Sequence, residues 1–206
     1  MKKIVDLKKI LLVGKAVSTD PQRYILHGFL IKDFEKNEQF YRDYVATDGR
    51  ILLVYREKRE KIELESPIIA KPEKIKLTKA EQKYDGIDIE LTEIDGIYHH
   101  KYGKFEKIDG IFPSYSQIFK SELKETTAHN YIPPRYLKII CEFLETDKPI
   151  RFYSENNKQE TPQFAMDYNN NNFKMAVVMP MQYLDKPEDL KEINQNLQKW
   201  NFDGTN

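Results

Sequence analysis

The 206-residue sequence lacks most of the features that mark a catalytic or metal-binding site. Its single cysteine, Cys141, excludes an internal disulfide and a cysteine-rich metal site. There is no glycine-rich phosphate loop, no H-E-x-x-H and no G-x-S-x-G motif. Neither charge predominates, because 33 basic residues balance 33 acidic ones. The chain as a whole therefore creates no field that would draw it onto nucleic acid.

Long apolar runs are also missing. The start, MKKIVDLKKILLVGKAVS, imitates a signal peptide, but charged residues at 6, 8, 9 and 15 interrupt its apolar segment. No run approaches the length that spans a membrane. We therefore expect a soluble, cytoplasmic protein, with Cys141 buried among its apolar neighbours.

The polar residues that could carry chemistry are scattered. His99 and His100 are adjacent, so on a strand they point to opposite faces and cannot share a metal. Asp48, Asp85 and Asp95 each precede a glycine, where aspartate is common for backbone reasons. We expect no catalytic residue, no metal and no cofactor, and an acidic nuclease-like enzyme remains the alternative.

The pattern of apolar residues predicts an α+β protein. A helix at the start has one apolar face, formed by Leu7, Ile10, Leu11, Gly14 and Val17. Strands follow at 23–31, 41–47 and 50–57, with an Asp48-Gly49 hairpin turn between the last two. Residues 66–86 predict a loop or edge strands, and 87–110 predict a β-meander.

The second part of the chain repeats the order of helix and strands. A helix begins at Pro133-Pro134, with Leu137, Ile140, Cys141 and Leu144 as its apolar face. Three strands follow in IRFYSE, QFAMDY and FKMAVVMP, the last two joined by an asparagine-rich turn at 169–172. An amphipathic helix is expected in the tail, 185–206. Two α-then-βββ units favour a pseudo-symmetric α+β domain.

Three stretches together resemble the β sliding clamp, the processivity subunit of bacterial DNA polymerase III. They are RYILHGFLIKDFEKNEQFYRDYVATDGRILLV (23–54), KIDGIFPSY (107–115), and the segment 131–182, which ends in FKMAVVMPMQ. The first two are similar to the clamp's middle domain, and the third to the second half of its last domain. The resemblance implies a DNA-clamp fold, with helices packed on antiparallel sheets, in reduced form.

The chain departs from the family in several places. Nothing corresponds to the clamp's first domain or to the first half of its last domain. Arg50-Ile51, Ser114 and Gln182 replace family residues. We therefore divide the chain into a middle-domain-like region (1–118), a last-domain-like region (119–184) and an additional helical tail (185–206).

The resemblance also implies a site. In clamps the V-V-M-P-M segment lines a hydrophobic groove that binds short peptides carrying a glutamine followed by leucine and phenylalanine. The matching positions here are Leu26, Thr47, Gly49, Leu52, Pro113, Gln117, Ile118, Val177, Met179, Pro180 and Met181. Methionine suits such a groove because it is unbranched and polarizable. The alternative is that these are ordinary core residues.

The function that the resemblance implies is a processivity factor that encircles duplex DNA without reading its sequence and tethers a polymerase or other partner proteins. The candidate DNA contacts, on the helices, are Lys8, Lys9, Lys15, Arg135 and Lys138. The alternative for each is an ordinary solvated helix face. A ring requires a homo-oligomer. The alternative function is a clamp-fold interaction module, or decoy, that binds the same peptides without closing a ring.

Overall fold

The computed structural model describes residues 3–119, 123–125, 132–146, 149–154, 162–168 and 172–179. The helices of this part are α1 (Leu7–Val13) and α2 (Pro134–Leu144). Its strands are β1 (Lys3–Asp6), β2 (Phe29–Lys36), β3 (Gln39–Thr47), β4 (Ile51–Arg59), β5 (Ile68–Lys71), β6 (Asp88–Ile94), β7 (Ile97–His100), β8 (Gly103–Lys107), β9 (Lys124–Glu125), β10 (Tyr153–Ser154), β11 (Gln163–Tyr168) and β12 (Asn172–Val178). Short 3₁₀ turns occupy Gly14–Ala16, Tyr24–His27, Glu81–Lys83 and Ser116–Phe119. None of the helices in these residues is long and apolar enough to cross a membrane.

All strands of the described part belong to one antiparallel sheet. Its order is β1-β6-β7-β8-β5-β2-β3-β4-β12-β11-β10-β9. Strand β12 pairs with β4 from Asn172↔Glu57 to Val178↔Ile51, so strands from the two ends of the chain share a continuous ladder. The expected α+β architecture of helices on antiparallel sheet is confirmed, as are the Asp48-Gly49 hairpin and the 87–110 meander. The tail, 185–206, lies outside the described residues.

Helix α1 begins at Leu7, the first residue of the predicted apolar face, and ends at Val13, before Gly14 and Val17 of that face. Residues 3–6 form β1, and Asp6 caps the helix with extended backbone, its Oδ1 accepting from Lys8 N at 2.9 Å. The same oxygen accepts from Ile87 N at 3.1 Å, which ties the helix start to the loop before β6. Because the cap satisfies a backbone donor that has no partner inside the helix, it sets the start at Leu7.

Other expectations from the sequence are wrong in detail. Residues 24–27 form a 3₁₀ turn instead of the start of a strand, and β5 lies between β2 and β8, not at an edge. Cys141 is exposed. Helix α2 buries Tyr136, Ile140, Phe143 and Leu144. The large aromatic rings take the buried positions, so the face toward the sheet is rotated away from Cys141.

The central strands are buried on both faces. On the face that carries α1 and α2, Tyr44, Leu53 and Ala176 join the main core. On the opposite face, alternate residues such as Val45, Val54 and Val177 form a second core with Phe112 and Tyr115 of the segment after β8. This explains why β4 reads as an uninterrupted apolar run, ILLVY, instead of alternating.

A buried ion pair fixes the curvature of the sheet. Arg42 of β3 donates to both carboxylate oxygens of Asp33 on β2, at 2.6 and 2.9 Å, and both side chains are 1% exposed. A third donor of Arg42 reaches the carbonyl of Ile4 in β1 at 2.7 Å. In the sheet order five strands lie between β1 and β3. The contact therefore requires the sheet to bend back until its first strand lies against β3.

Replacing Arg42 by methionine should destabilise the fold by about 3–5 kcal/mol, because Asp33 would stay buried without its cation. Lys3→Met is the control, since it removes a partly exposed pair with Glu93 at 3.0 Å and a cation–π contact with Tyr98 and should cost at most about 2 kcal/mol. Urea denaturation measures both. Equal losses of stability would contradict the assigned role of Arg42.

The ion pair also predicts a pH dependence. Burial alone would raise the pKa of Asp33, but hydrogen bonds from Arg42 and from the backbone N–H groups of Glu63 and Leu64 outweigh it and lower the pKa below 3.8. The folded state then binds this proton more weakly than the unfolded state. The stabilisation that ionised Asp33 contributes is complete above its pKa in the unfolded chain. It is lost as pH falls through its pKa in the folded protein. The difference in the free energy of unfolding between wild type and Arg42→Met should therefore narrow as pH falls through the pKa of Asp33.

Candidate functional site

The second core contains three of the residues expected to line the groove. Leu52 of β4 and Val177 of β12 are direct partners in the sheet and point to the face opposite the helices. Ile118, which follows the 112–115 segment, is half-buried against the same cluster. The structure therefore brings together residues that are 125 positions apart, Leu52 and Val177, on one side of the sheet, where both are buried in the second core.

The hairpin turn supplies the next group. Thr47 Oγ1 donates to Ile51 O at 2.7 Å and accepts from Gly49 N at 3.0 Å, which fixes the turn. Gly49 has φ +87°, and a Cβ at this position would meet the guanidinium of Arg23 and lie near Leu26. The positive φ is the reason that glycine is favoured here, whereas the end of the flexible Arg23 side chain could move aside. Leu26 is thus held beside the turn.

Met179 directly follows β12. Its N–H donates to Arg50 O at 2.8 Å, which extends the ladder by one residue, while its side chain is 44% exposed. Because side chains alternate along a strand, Met179 continues the row of Met175 and Val177 toward the surface. Pro180, Met181 and the side chain of Gln117 lie outside the described residues.

Pro113 is exposed and lines a separate cavity. Its neighbour Phe112 is buried in the second core. With Leu30 and Ile69, Pro113 lines an apolar cavity of about 430 Å³ beside β2 and β5. Pro113 therefore borders the same core as the other groove residues from the side of β2.

A buried polar cluster that the sequence analysis did not assign holds the 112–118 segment in place. Asp43 is fully buried and accepts from Tyr115 OH at 2.6 Å and from Arg56 at 2.7 and 2.8 Å. Burial, followed by the charge of Asp43, raises the pKa of Tyr115. A signal was present in the sequence: Asp43 shares the face of Val45 and Thr47, so it lies on an inward-facing position of a strand.

The candidate DNA contacts divide into two groups. Lys9 does not belong to an open surface, because its ammonium pairs with Glu57 and with Asp6 at 3.2 Å and lies over the rings of Tyr44 and Tyr55. Lys9 is one helical step, about 100°, from Lys8, and that rotation points it into the core. Lys9 is thus a structural residue of the helix–sheet interface.

The other four basic residues are more accessible. Lys8 donates to the carbonyl oxygens of Gln82 and Tyr84. Lys15, in the 3₁₀ turn after α1, pairs with Glu142 of α2 at 2.6 Å, and Lys138 approaches the same carboxylate at 4.0 Å. The guanidinium carbon of Arg135 lies 4.4 Å from the centre of the Tyr136 ring. Glu142 offsets part of the positive charge on this face.

Within the part of the chain that the structure describes, no group of three histidine, cysteine, aspartate or glutamate side chains could hold a metal ion.

Comparison with known proteins identifies the fold. No family model and no curated protein matches the sequence. Among solved structures, pol III beta of Caulobacter crescentus matches with a TM-score of 0.61 and 17% identity, over 88% of this chain and 66% of that one. The sliding clamp of Bartonella birtlesii bound to griselimycin gives 0.59 and 17%, and the polymerase III subunit beta of Pseudomonas aeruginosa 0.57 and 14%, over the same shares of each chain.

The protein therefore has the DNA-clamp fold of bacterial β sliding clamps, in reduced form. The chain spans just under two thirds of the length of these clamps. The resemblance carried by the three sequence motifs is confirmed at the level of the fold.

Tyr115→Phe should loosen residues 110–118, because it leaves the buried carboxylate of Asp43 short of one donor, at a cost of about 1–3 kcal/mol. Hydrogen exchange at these backbone amides should accelerate. Ser114→Ala, which removes an exposed hydroxyl from the same segment, is the control and should leave exchange unchanged. Equal hydrogen-exchange rates at these amides in wild type and Tyr115→Phe would show that the Tyr115–Asp43 hydrogen bond does not hold this segment in place.

Proposed function

We propose that the protein is a sliding-clamp-like processivity factor that tethers DNA polymerase or other partner proteins through a hydrophobic peptide groove. The observation that supports this most is the clamp fold combined with Leu52, Ile118 and Val177 on one face, continued to the surface by Met179. Such a protein performs no chemistry. Its partners would carry the short glutamine–leucine–phenylalanine type of peptide.

The chemistry of the surface suits this role. A groove that must accept several peptides needs side chains that repack at low cost, and methionine does so better than branched residues. The walls, in contrast, are rigid: β4 and β12 are paired over seven residues, and Tyr115 ties the opposite wall to Asp43. A rigid frame with one adaptable residue limits the entropy lost on binding.

Attachment to duplex DNA would come from encirclement and loose phosphate contacts rather than from net charge. Lys15, Arg135 and Lys138 share the α1–α2 surface and are the candidates for those contacts. The balanced composition argues that the hold on DNA is topological, so a ring of several copies is part of this proposal.

The second candidate is a clamp-fold interaction module, or decoy, that binds clamp-binding peptides without forming a ring. One observation favours it. Glu142 neutralises part of the helical face, and Lys9 is withdrawn into the core, so fewer basic side chains are available for DNA.

Met179→Ala should lower the affinity for a glutamine–leucine–phenylalanine peptide roughly threefold to tenfold without unfolding the protein. Only about half of this side chain is left to bury, which corresponds to roughly 0.7–1.4 kcal/mol of apolar transfer. Fluorescence anisotropy with a labelled peptide measures the change. Ile94→Ala, at a position in β6 that is 53% exposed and lies outside the cavity beside Pro113, is the control. Unchanged affinity in Met179→Ala would refute a groove at this position.

Light scattering separates the two candidate functions. A ring of several copies predicts a closed oligomer, with a mass of at least three times 24.5 kDa that stays constant on dilution. The interaction module predicts a monomer or a dimer that still binds the peptide. A monomer that binds no peptide would reject both candidates.

A further inference from the structure

A cavity on the helix-bearing side of the hairpin turn is lined by basic side chains. It has a volume of about 310 Å³. Four separate segments each contribute one cation: Lys15 after α1, Arg23 before the 3₁₀ turn, Arg50 in the β3–β4 turn and Arg135 on α2. We call it the cationic pocket. Its composition contrasts with a chain whose net charge is zero.

The two carboxylates that line the cationic pocket, those of Asp48 and Asp20, accept hydrogen bonds from residues in or next to its walls. Asp48 Oδ1 accepts from Arg50 N at 2.8 Å and Ile51 N at 2.9 Å, and its Oδ2 accepts from Tyr136 OH at 2.9 Å. Asp20 Oδ1 accepts from Gln22 N at 3.0 Å. These bonds shape the turn and join it to α2, so the carboxylates act as scaffold for the cations around them.

The guanidinium groups of Arg50 and Arg135 have no carboxylate within 4.0 Å among residues of the described ranges. Arg135 is oriented by the ring of Tyr136, 4.4 Å away, and donates to its hydroxyl. Arg23 donates to Asp48 O at 2.9 Å and approaches Asp20 at 3.4 Å. Lys15 is shared with Glu142, but that pair is more than a third exposed and therefore weak.

We propose that the cationic pocket binds a phosphate group. A guanidinium presents a planar fork of donors that matches phosphate oxygens, and two such forks with an ammonium nearby complement a tetrahedral dianion or a phosphodiester. The volume is at the low end for small-molecule sites, which suits one phosphate with part of its ester group. The phosphate belongs either to a nucleic-acid backbone, which rests on the proposed function because Lys15 and Arg135 are its DNA-contact candidates, or to a free phosphorylated compound.

The primary test is a titration of the full-length protein with inorganic phosphate, followed by NMR chemical shifts at constant ionic strength. Wild type should show saturable shifts at pocket residues. Arg50→Gln combined with Arg135→Gln should weaken this binding at least fivefold. Lys36→Gln combined with Arg151→Gln removes the same charge from exposed positions outside the pocket and should leave binding unchanged. Absent saturation in wild type, or equal weakening in both pairs, would overturn the proposal.

Competition identifies the source of the phosphate. If a short duplex DNA displaces phosphate from wild type, and its own binding weakens in the Arg50, Arg135 pair, the pocket holds a nucleic-acid phosphate. If DNA does not compete while phosphate binds, the ligand is a free phosphorylated compound. Peptide affinity, measured in parallel, should be unaffected by the pocket substitutions, so failure of this proposal and failure of the peptide groove are distinguishable.

Discussion

The buried pair of Arg42 and Asp33 is the contact on which the shape of the molecule depends. Removing two charges from water is costly, and the cost is offset only when every donor and acceptor is used. Here Arg42 reaches Asp33, Ile4 O and Glu63, while Asp33 also accepts from two backbone N–H groups. Satisfying these groups together requires β1 and the segment after β4 to close over β2 and β3.

That closure determines where α1 lies. Strand β1 leads directly into Asp6, whose N–H donates to Tyr44 OH at 3.1 Å and whose carboxylate caps α1. The helix is therefore placed on the inner face of the bent sheet with Leu7, Ile10 and Val13 buried. Lys9 completes the arrangement by pairing with Glu57. A residue that would suit DNA by charge is used instead to hold helix and sheet together.

The two faces of the sheet serve different purposes. One face carries the helices and the cationic pocket, and the other carries Leu52, Val177 and the segment held by Tyr115. The turn at 47–50 belongs to both, because Asp48 bonds Tyr136 on the helix side while Gly49 lies beside Leu26. A peptide and a phosphate could thus be bound on opposite sides of one hairpin without competing for the same residues.

Local signals in the sequence determined the hairpin at Asp48-Gly49, the 87–110 meander, both helices and the resemblance to clamps, because turn chemistry and apolar periodicity act over a few residues. They identified part of the buried helix faces, Leu7 and Ile10 in α1 and Ile140 and Leu144 in α2. They did not determine that Lys9 is drawn into the core by Glu57 or that Cys141 is exposed. The Asp43–Tyr115 bond spans 72 positions, and the cationic pocket draws on four segments. Only the tertiary fold decides such contacts, because they depend on how the sheet bends and on which buried charges must be paired.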